Sequence, residues 1–152
     1  MNYYSLILCF VLSFFGKETK QIVELKDADI TIVKENGFAT VTLPFEVLKD
    51  YHIQSNSDIS DGSIPTEIIF KEKKGYKIEH QKFSLKQDET IQLNGAYHKV
   101  ISNQFEVTIK LKINKGSSNT KLEGELYYQA CSNTQCLFPR SLKFQYKINN
   151  NN

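Results

Sequence analysis

The residues with the most chemistry to offer are two cysteines five positions apart, in the stretch Tyr127-Tyr128-Gln129-Ala130-Cys131-Ser132-Asn133-Thr134-Gln135-Cys136-Leu137-Phe138-Pro139. Thiols this close serve either as a passive clip or as a pair that opens and closes by thiolate attack. The third cysteine, Cys9, lies in an apolar N-terminal run, so loss of that run leaves one pair and no spare thiol. A closed loop of six residues, Cys131 to Cys136, stabilises a fold by only about 2 kcal/mol, against about 4.7 kcal/mol for a hundred-residue loop. A domain with a full core has little need of so small a contribution, which favours exchange over the clip.

A working pair needs a route to the thiolate. Arg140, the only arginine, follows Cys136 by four residues, and a nearby cation lowers a thiol pKa. Leu137-Phe138-Pro139 between them is expected to shield the sulfur and raise it, so the two influences oppose each other. The histidines, His52, His80 and His98, are scattered and show no ligand spacing. A zinc site built with Cys131 and Cys136 is therefore disfavoured, and neither a metal nor another cofactor is expected. His98 or His52 acting as a base beside Cys136 would suggest a cysteine hydrolase. No oxyanion signal or third member accompanies them, and each histidine is expected on the surface. Tyr127 and Tyr128 are expected to pack rather than react.

The elements that must position these groups read as strands. Phe105 to Ile113 and Leu142 to Ile148 alternate apolar and polar without a fault, and so does Ala39 to Leu43, continued by Phe45 and Val47 beyond Pro44. That period of two marks strands with one buried face. Pro44 lacks a ladder N–H, so the strand is expected to end, bulge or lie at an edge there. Shorter candidates are Ile22 to Leu25, Ile30 to Lys34, Tyr51 to Gln54, Glu67 to Lys71, Tyr76 to Glu79 and Ile91 to Leu93. Asn36-Gly37 and Lys115-Gly116-Ser117-Ser118 carry turn chemistry. No segment sustains a helical period over three turns. Many short strands, each with one apolar face, pack best as two facing antiparallel sheets, an all-β sandwich. An antibody-type domain is excluded, because there is no tryptophan and the cysteines are too close in sequence to bridge two sheets. From Leu122 to Cys131 the apolar set Leu122, Leu126, Tyr128 and Ala130 shares one face, leaving Tyr127, Gln129 and Cys131 on the other. Ser132-Asn133-Thr134 favours a turn, which puts both sulfurs at a hairpin end.

Composition bounds the setting. Residues Tyr3 to Phe15 form an uncharged, apolar run of thirteen, and charge begins at Lys17. A spanning helix needs about 20 such residues, so residues 1–16 are read as a secretory signal peptide. Lipid attachment at Cys9 is disfavoured, because Leu8 stands where a small residue is wanted. The pair would then meet an oxidising compartment. About 135 residues remain, enough for one domain over 17–148, with a polar tail at 149–152. Removing residues 1–16 removes no charged side chain, so the net charge stays at +2. With its lysines spread along the chain, this is too mild a balance for nucleic-acid binding, and the run Lys71-Glu72-Lys73-Lys74-Gly75 reads as a solvated turn. No Asn-x-Ser/Thr sequon occurs, which argues against a glycosylated extracellular module. No stable membrane span is expected after signal removal.

The sequence Tyr128-Gln129-Ala130-Cys131, a four-residue spacer, Cys136, then an apolar pair and Pro139 resembles the N-terminal periplasmic domain of the thiol:disulfide interchange protein DsbD. The resemblance extends back through Gly124-Glu125-Leu126, Pro65 to Phe70 and Tyr51-His52-Ile53, although only the cysteine motif is specific. It implies an immunoglobulin-like sandwich that takes electrons from a thioredoxin-like donor and passes them to periplasmic thiol oxidoreductases. On that basis Cys131 and Cys136 are the redox pair, with Cys136 forming mixed disulfides and Cys131 resolving them. The family's disulfide is covered by a cap loop bearing an aromatic residue and preceded by acids. The counterpart expected here is Asn94-Gly95-Ala96-Tyr97-His98-Lys99, with Tyr97 the only aromatic and no acid. Tyr51 and His52 are expected to flank the site, together with Gln129, Phe138 and Arg140. The sequence contains neither a membrane conduit nor a thioredoxin-like domain, so the donor, a thioredoxin-like protein or membrane thiol reductase, is expected in trans. The competing reading is a non-catalytic exported sandwich that binds a protein or glycan, with the disulfide as a hairpin clip.

Overall fold

The computed structural model describes residues 20–57, 64–71, 74–86, 89–93, 95–117 and 120–148. The expected signal peptide with Cys9, the polar tail, Glu72 and Lys73 of the lysine run, and Asn94 of the expected cap lie outside the described residues.

Among the described residues, twelve strands and one short 3-10 turn (Asp27–Asp29) build the domain. In chain order they are β1 (Val23–Leu25), β2 (Thr31–Glu35), β3 (Phe38–Val47), β4 (His52–Gln54), β5 (Glu67–Phe70), β6 (Tyr76–Leu85), β7 (Glu89–Leu93), β8 (Ala96–Ile101), β9 (Gln104–Ile113), β10 (Thr120–Tyr128), β11 (Ala130–Cys131) and β12 (Arg140–Ile148). All pairings are antiparallel. One sheet runs β1-β3-β9-β6 with β2 also on β3, a second runs β12-β10-β5, and a third runs β11-β4-β8-β7. Alternation drives the packing. Ala39, Val41, Leu43 and Phe45 of β3 and Phe105, Val107, Ile109 and Leu111 of β9 share one buried cluster with Leu122, Leu126 and Tyr128 of β10 and Phe144 and Ile148 of β12. Phe45 and Phe83 stack on opposite sides of Phe105, at 5.1 and 6.2 Å between ring centroids, aligning β3, β9 and β6. The result is an antiparallel β-sandwich of immunoglobulin-like architecture.

Three elements depart from the sequence expectations. β3 passes through Pro44 unbroken and lies inside its sheet. The Pro44 carbonyl accepts from the Lys26 N–H at 2.9 Å, so the ring nitrogen faces the same way, toward the link between β1 and β2. No ladder bond is needed there, and the proline costs none. β6 runs on to Leu85 rather than stopping at Glu79. The register steps between Ile78 and His80, and this bulge at Glu79 moves the inward set from Tyr76 and Ile78 to Phe83 and Leu85. A strict period of two therefore fails at the bulge. Finally, Ala96 to Lys99, expected in a cap loop, belongs to β8, which folds back on β7 with Leu93 opposite Ala96.

Candidate functional site

The chain reaches the cysteines by changing sheets. β10 pairs with β5 as far as Tyr127 and with β12 as far as Tyr128, and then Ala130 and Cys131 pair with Ile53 and His52 of β4. Gln129 sits at the crossing, and its Nε2 donates to the Leu137 carbonyl at 3.1 Å, closing the neck of the hairpin. Above that neck Leu137 N–H donates to the Ala130 carbonyl and Ser132 N–H to the Gln135 carbonyl, both at 2.8 Å. Cys131 and Cys136 face each other between those two bonds, with Cα atoms 3.9 Å apart and a 2.02 Å S–S bond. The Ser132 hydroxyl accepts from the Thr134 and Gln135 N–H groups at 3.3 Å each, so the tip is organised by its own side chain. The hairpin end expected for the sulfurs is present.

The two cysteines differ in exposure. Cys131 is 1% exposed, whereas Cys136 lies at the surface. Cys131 was expected on the outer face. It is buried because the change of sheet at Gln129 breaks the alternation and brings β4 alongside. The expected shielding by Leu137-Phe138-Pro139 is also corrected. Leu137 packs on the core, but Phe138 is 91% exposed and points outward beside an open Cys136.

Of the expected flanking residues, His52 is brought opposite Cys131, and Tyr51 precedes it at the entry to β4. A tight turn with Asp50 in the left-handed region (φ 70) and Tyr51 N–H on the Leu48 carbonyl at 3.2 Å delivers β4. Tyr51 is half-buried against the core, and His52 stands opposite Cys131. His52 is 6% exposed, which corrects the expectation of a surface histidine. Its Nε2 is buried with no hydrogen-bond partner. Burial holds its pKa below the usual histidine value, and the Glu89 carboxylate opposes that shift. Sequence periodicity could not reveal this, because β4 has three residues, all buried.

Tyr97 and His98 are not gathered. The β4–β8 ladder pairs Ile53 with Ile101 and Gln54 with Val100, and Ser55 N–H bonds the Lys99 carbonyl at 3.0 Å. The level of Cys131 is thus that of position 102 on β8, and Tyr97 stands five residues, about 17 Å, further along. Tyr97 is 71% exposed and His98 is half-buried. Asn94-Gly95 matches the Asn36-Gly37 hairpin between β2 and β3, and that match was the signal for a strand here. Arg140 directs its guanidinium to the Lys20 carbonyl, and its charge acts on the Tyr128 hydroxyl. His80 lies on β6, in another sheet, and no group of three His, Cys, Asp or Glu side chains among the described residues could hold a metal. A groove of about 430 Å³ over Gly124, lined by Phe70, Lys71, Lys143 and Phe144, opens seven residues back from Cys131 and is not continuous with the pair.

No protein-family model matches the sequence, and no curated protein matches it. Among solved structures the chain is similar to the N-terminal periplasmic domain of ScsB from Proteus mirabilis, with a TM-score of 0.57 and 15% identity over 76% of this chain and 43% of that one. The chain therefore spans less than half of that structure, and at this identity the likeness speaks for the fold alone. It is also similar to the reduced N-terminal domain of DsbD from Neisseria meningitidis (TM-score 0.46, 15% identity, 78% of this chain and 82% of that one). The yeast GGA1 GAE domain gives a TM-score of 0.42 at 10% identity over 86% and 96%.

Proposed function

We propose that this domain is a thiol–disulfide exchange module whose working group is the Cys131–Cys136 pair. The observation that carries the reading is the asymmetry of the two cysteines, one exposed at a hairpin end and one buried behind it. Exchange proceeds by in-line attack of a thiolate on one sulfur while the other leaves. With Cys136 exposed and Cys131 shut in by β4, an incoming protein thiolate has access to Cys136. A new S–S bond forms to Cys136, the Cys131–Cys136 bond breaks, and its electron pair stays on Cys131. The donor's second thiol then attacks the mixed disulfide and leaves the domain as a dithiol. In the onward step the Cys136 thiolate attacks an acceptor disulfide, and Cys131 resolves it. Exposed Phe138, two residues from Cys136, gives a partner an aromatic contact beside the reacting sulfur.

A thioredoxin-like donor supplied in trans and thiol oxidoreductases as acceptors are the partners favoured by this chemistry and by the resemblance of the cysteine motif's sequence to the DsbD domain. The fold likeness to a periplasmic ScsB domain supports an exported, periplasmic setting. Removing the resolving thiol tests the assignment. A Cys131→Ala variant should accumulate mixed disulfides through Cys136 that dithiothreitol releases, while Cys136→Ala should accumulate none. If the Cys131→Ala variant traps nothing above background, the exchange reading is wrong and the disulfide is a clip in a binding module.

A further inference from the structure

Burying the leaving sulfur creates a problem that His52 is placed to solve. A thiolate released inside a poorly hydrated site is disfavoured, because desolvation penalises the charged form. Directly opposed residues of an antiparallel pair project to the same face with Cβ atoms about 4.5–5.5 Å apart. Cys131 is opposed to His52 on one side and to Cys136 on the other, so the three side chains form a row from the buried imidazole to the exposed sulfur. His52 Nε2 is buried and has no partner while the disulfide is closed. Such a vacancy costs stability in most folds, and reduction would supply a partner in the Cys131 sulfur.

We infer that His52 is the proton-exchange partner of Cys131, donating to its sulfur as the disulfide opens and accepting from its thiol as the disulfide re-forms. The inference rests on the exchange reading above. In the opening step an external thiolate bonds to Cys136 Sγ, the S–S electron pair passes to Cys131 Sγ, and the imidazolium of His52 gives that sulfur its proton. His52 then regains a proton from solvent. Closing the disulfide runs the same transfers backward, with His52 as base.

The surroundings leave His52 in control of this proton. Of the strands paired with β4, β11 brings Cys131 itself. β8 brings Ser102 to the His52 level just past its end, with Lys99 and His98 three and four residues further along. The charge that bears on the ring is Glu89 of β7, held by the Ser102 hydroxyl and by Asn103 Nδ2 at 3.1 Å. Burial favours the neutral ring and Glu89 favours the cation, so the ring has reason to take up or release a proton as its neighbour changes.

The test is the rate at which dithiothreitol reduces the pair, expressed per dithiothreitol thiolate, from about pH 8 to about pH 5. In the unaltered protein that rate should climb at least about tenfold as pH falls and His52 becomes protonated. In His52→Gln the climb should be absent. Should the variant not fold, NMR titration of the His52 ring in the unaltered protein decides the matter, and it should titrate at a higher pH in the reduced protein than in the oxidised one. A pH profile shared by both proteins, or identical His52 titrations in the two redox states, would overturn the inference. Dithiothreitol opens the pair whether or not protein partners exist, so failure here is distinct from failure of the trapping experiment.

Discussion

His52 and Cys131 carry opposite lessons about burial. A buried disulfide sulfur is uncharged and costs little, whereas desolvation penalises a buried imidazole when it takes up a proton. Burial lowers the folded-state pKa of His52 below its ordinary 6.5, so the unfolded chain binds the extra proton first as pH falls. Stability is therefore complete above about pH 6.5 and declines as pH drops toward the folded-state value. Denaturant unfolding of the oxidised protein across this window should show that decline, and His52→Gln should lose the histidine's share of it. An unchanged slope in the variant would mean that the ring is hydrated in the folded protein. Cys131, Cys136 and their place at a hairpin end were legible from spacing and turn residues. Which sulfur is buried was not, because it depends on β4, nearly eighty residues away in sequence. The resemblance placed His52 beside the disulfide, but the same long-range pairing buries it where a surface position was expected.

At the scale of elements, alternation reported the long strands faithfully and failed where geometry breaks the period of two. β9 and β12 have the faces their sequences suggest. β6 was cut short because a bulge moves its inward residues by one, and β8 was read as a loop although Asn94-Gly95 carries hairpin chemistry. β10 depends on a feature alternation cannot show. A Cβ on Gly124 would stand 2.8 Å from the Ile69 carbonyl oxygen and 2.8 Å from Phe144 Cζ, with β5 and β12 closing in from both sides. Gly124→Ala should cost about 1–3 kcal/mol by overpacking and lower the melting temperature by several degrees, while leaving the reduction potential of the pair unchanged. A variant as stable as the parent would show that the two flanking strands yield at little cost. A changed potential would tie the sheet interior to the disulfide in a way the described contacts do not suggest.

For the whole molecule, the sandwich positions one hairpin so that one cysteine is buried and its disulfide partner is exposed. The all-β class and the two-layer packing follow from the many short strands with one apolar face. The third sheet, β11-β4-β8-β7, was not foreseeable as a unit, since its two-residue and three-residue strands carry no period of their own. Yet that sheet buries Cys131 and supplies His52. The proposed exchange function requires this architecture to hold a disulfide that opens. Its most direct test is the reduction potential of the Cys131–Cys136 pair, measured by equilibrating the domain in graded thiol redox buffers. The exchange reading predicts a value between about −180 and −270 mV, the range of working exchange proteins. A value well below about −300 mV would mark a disulfide that cellular thiols leave closed, and would contradict it.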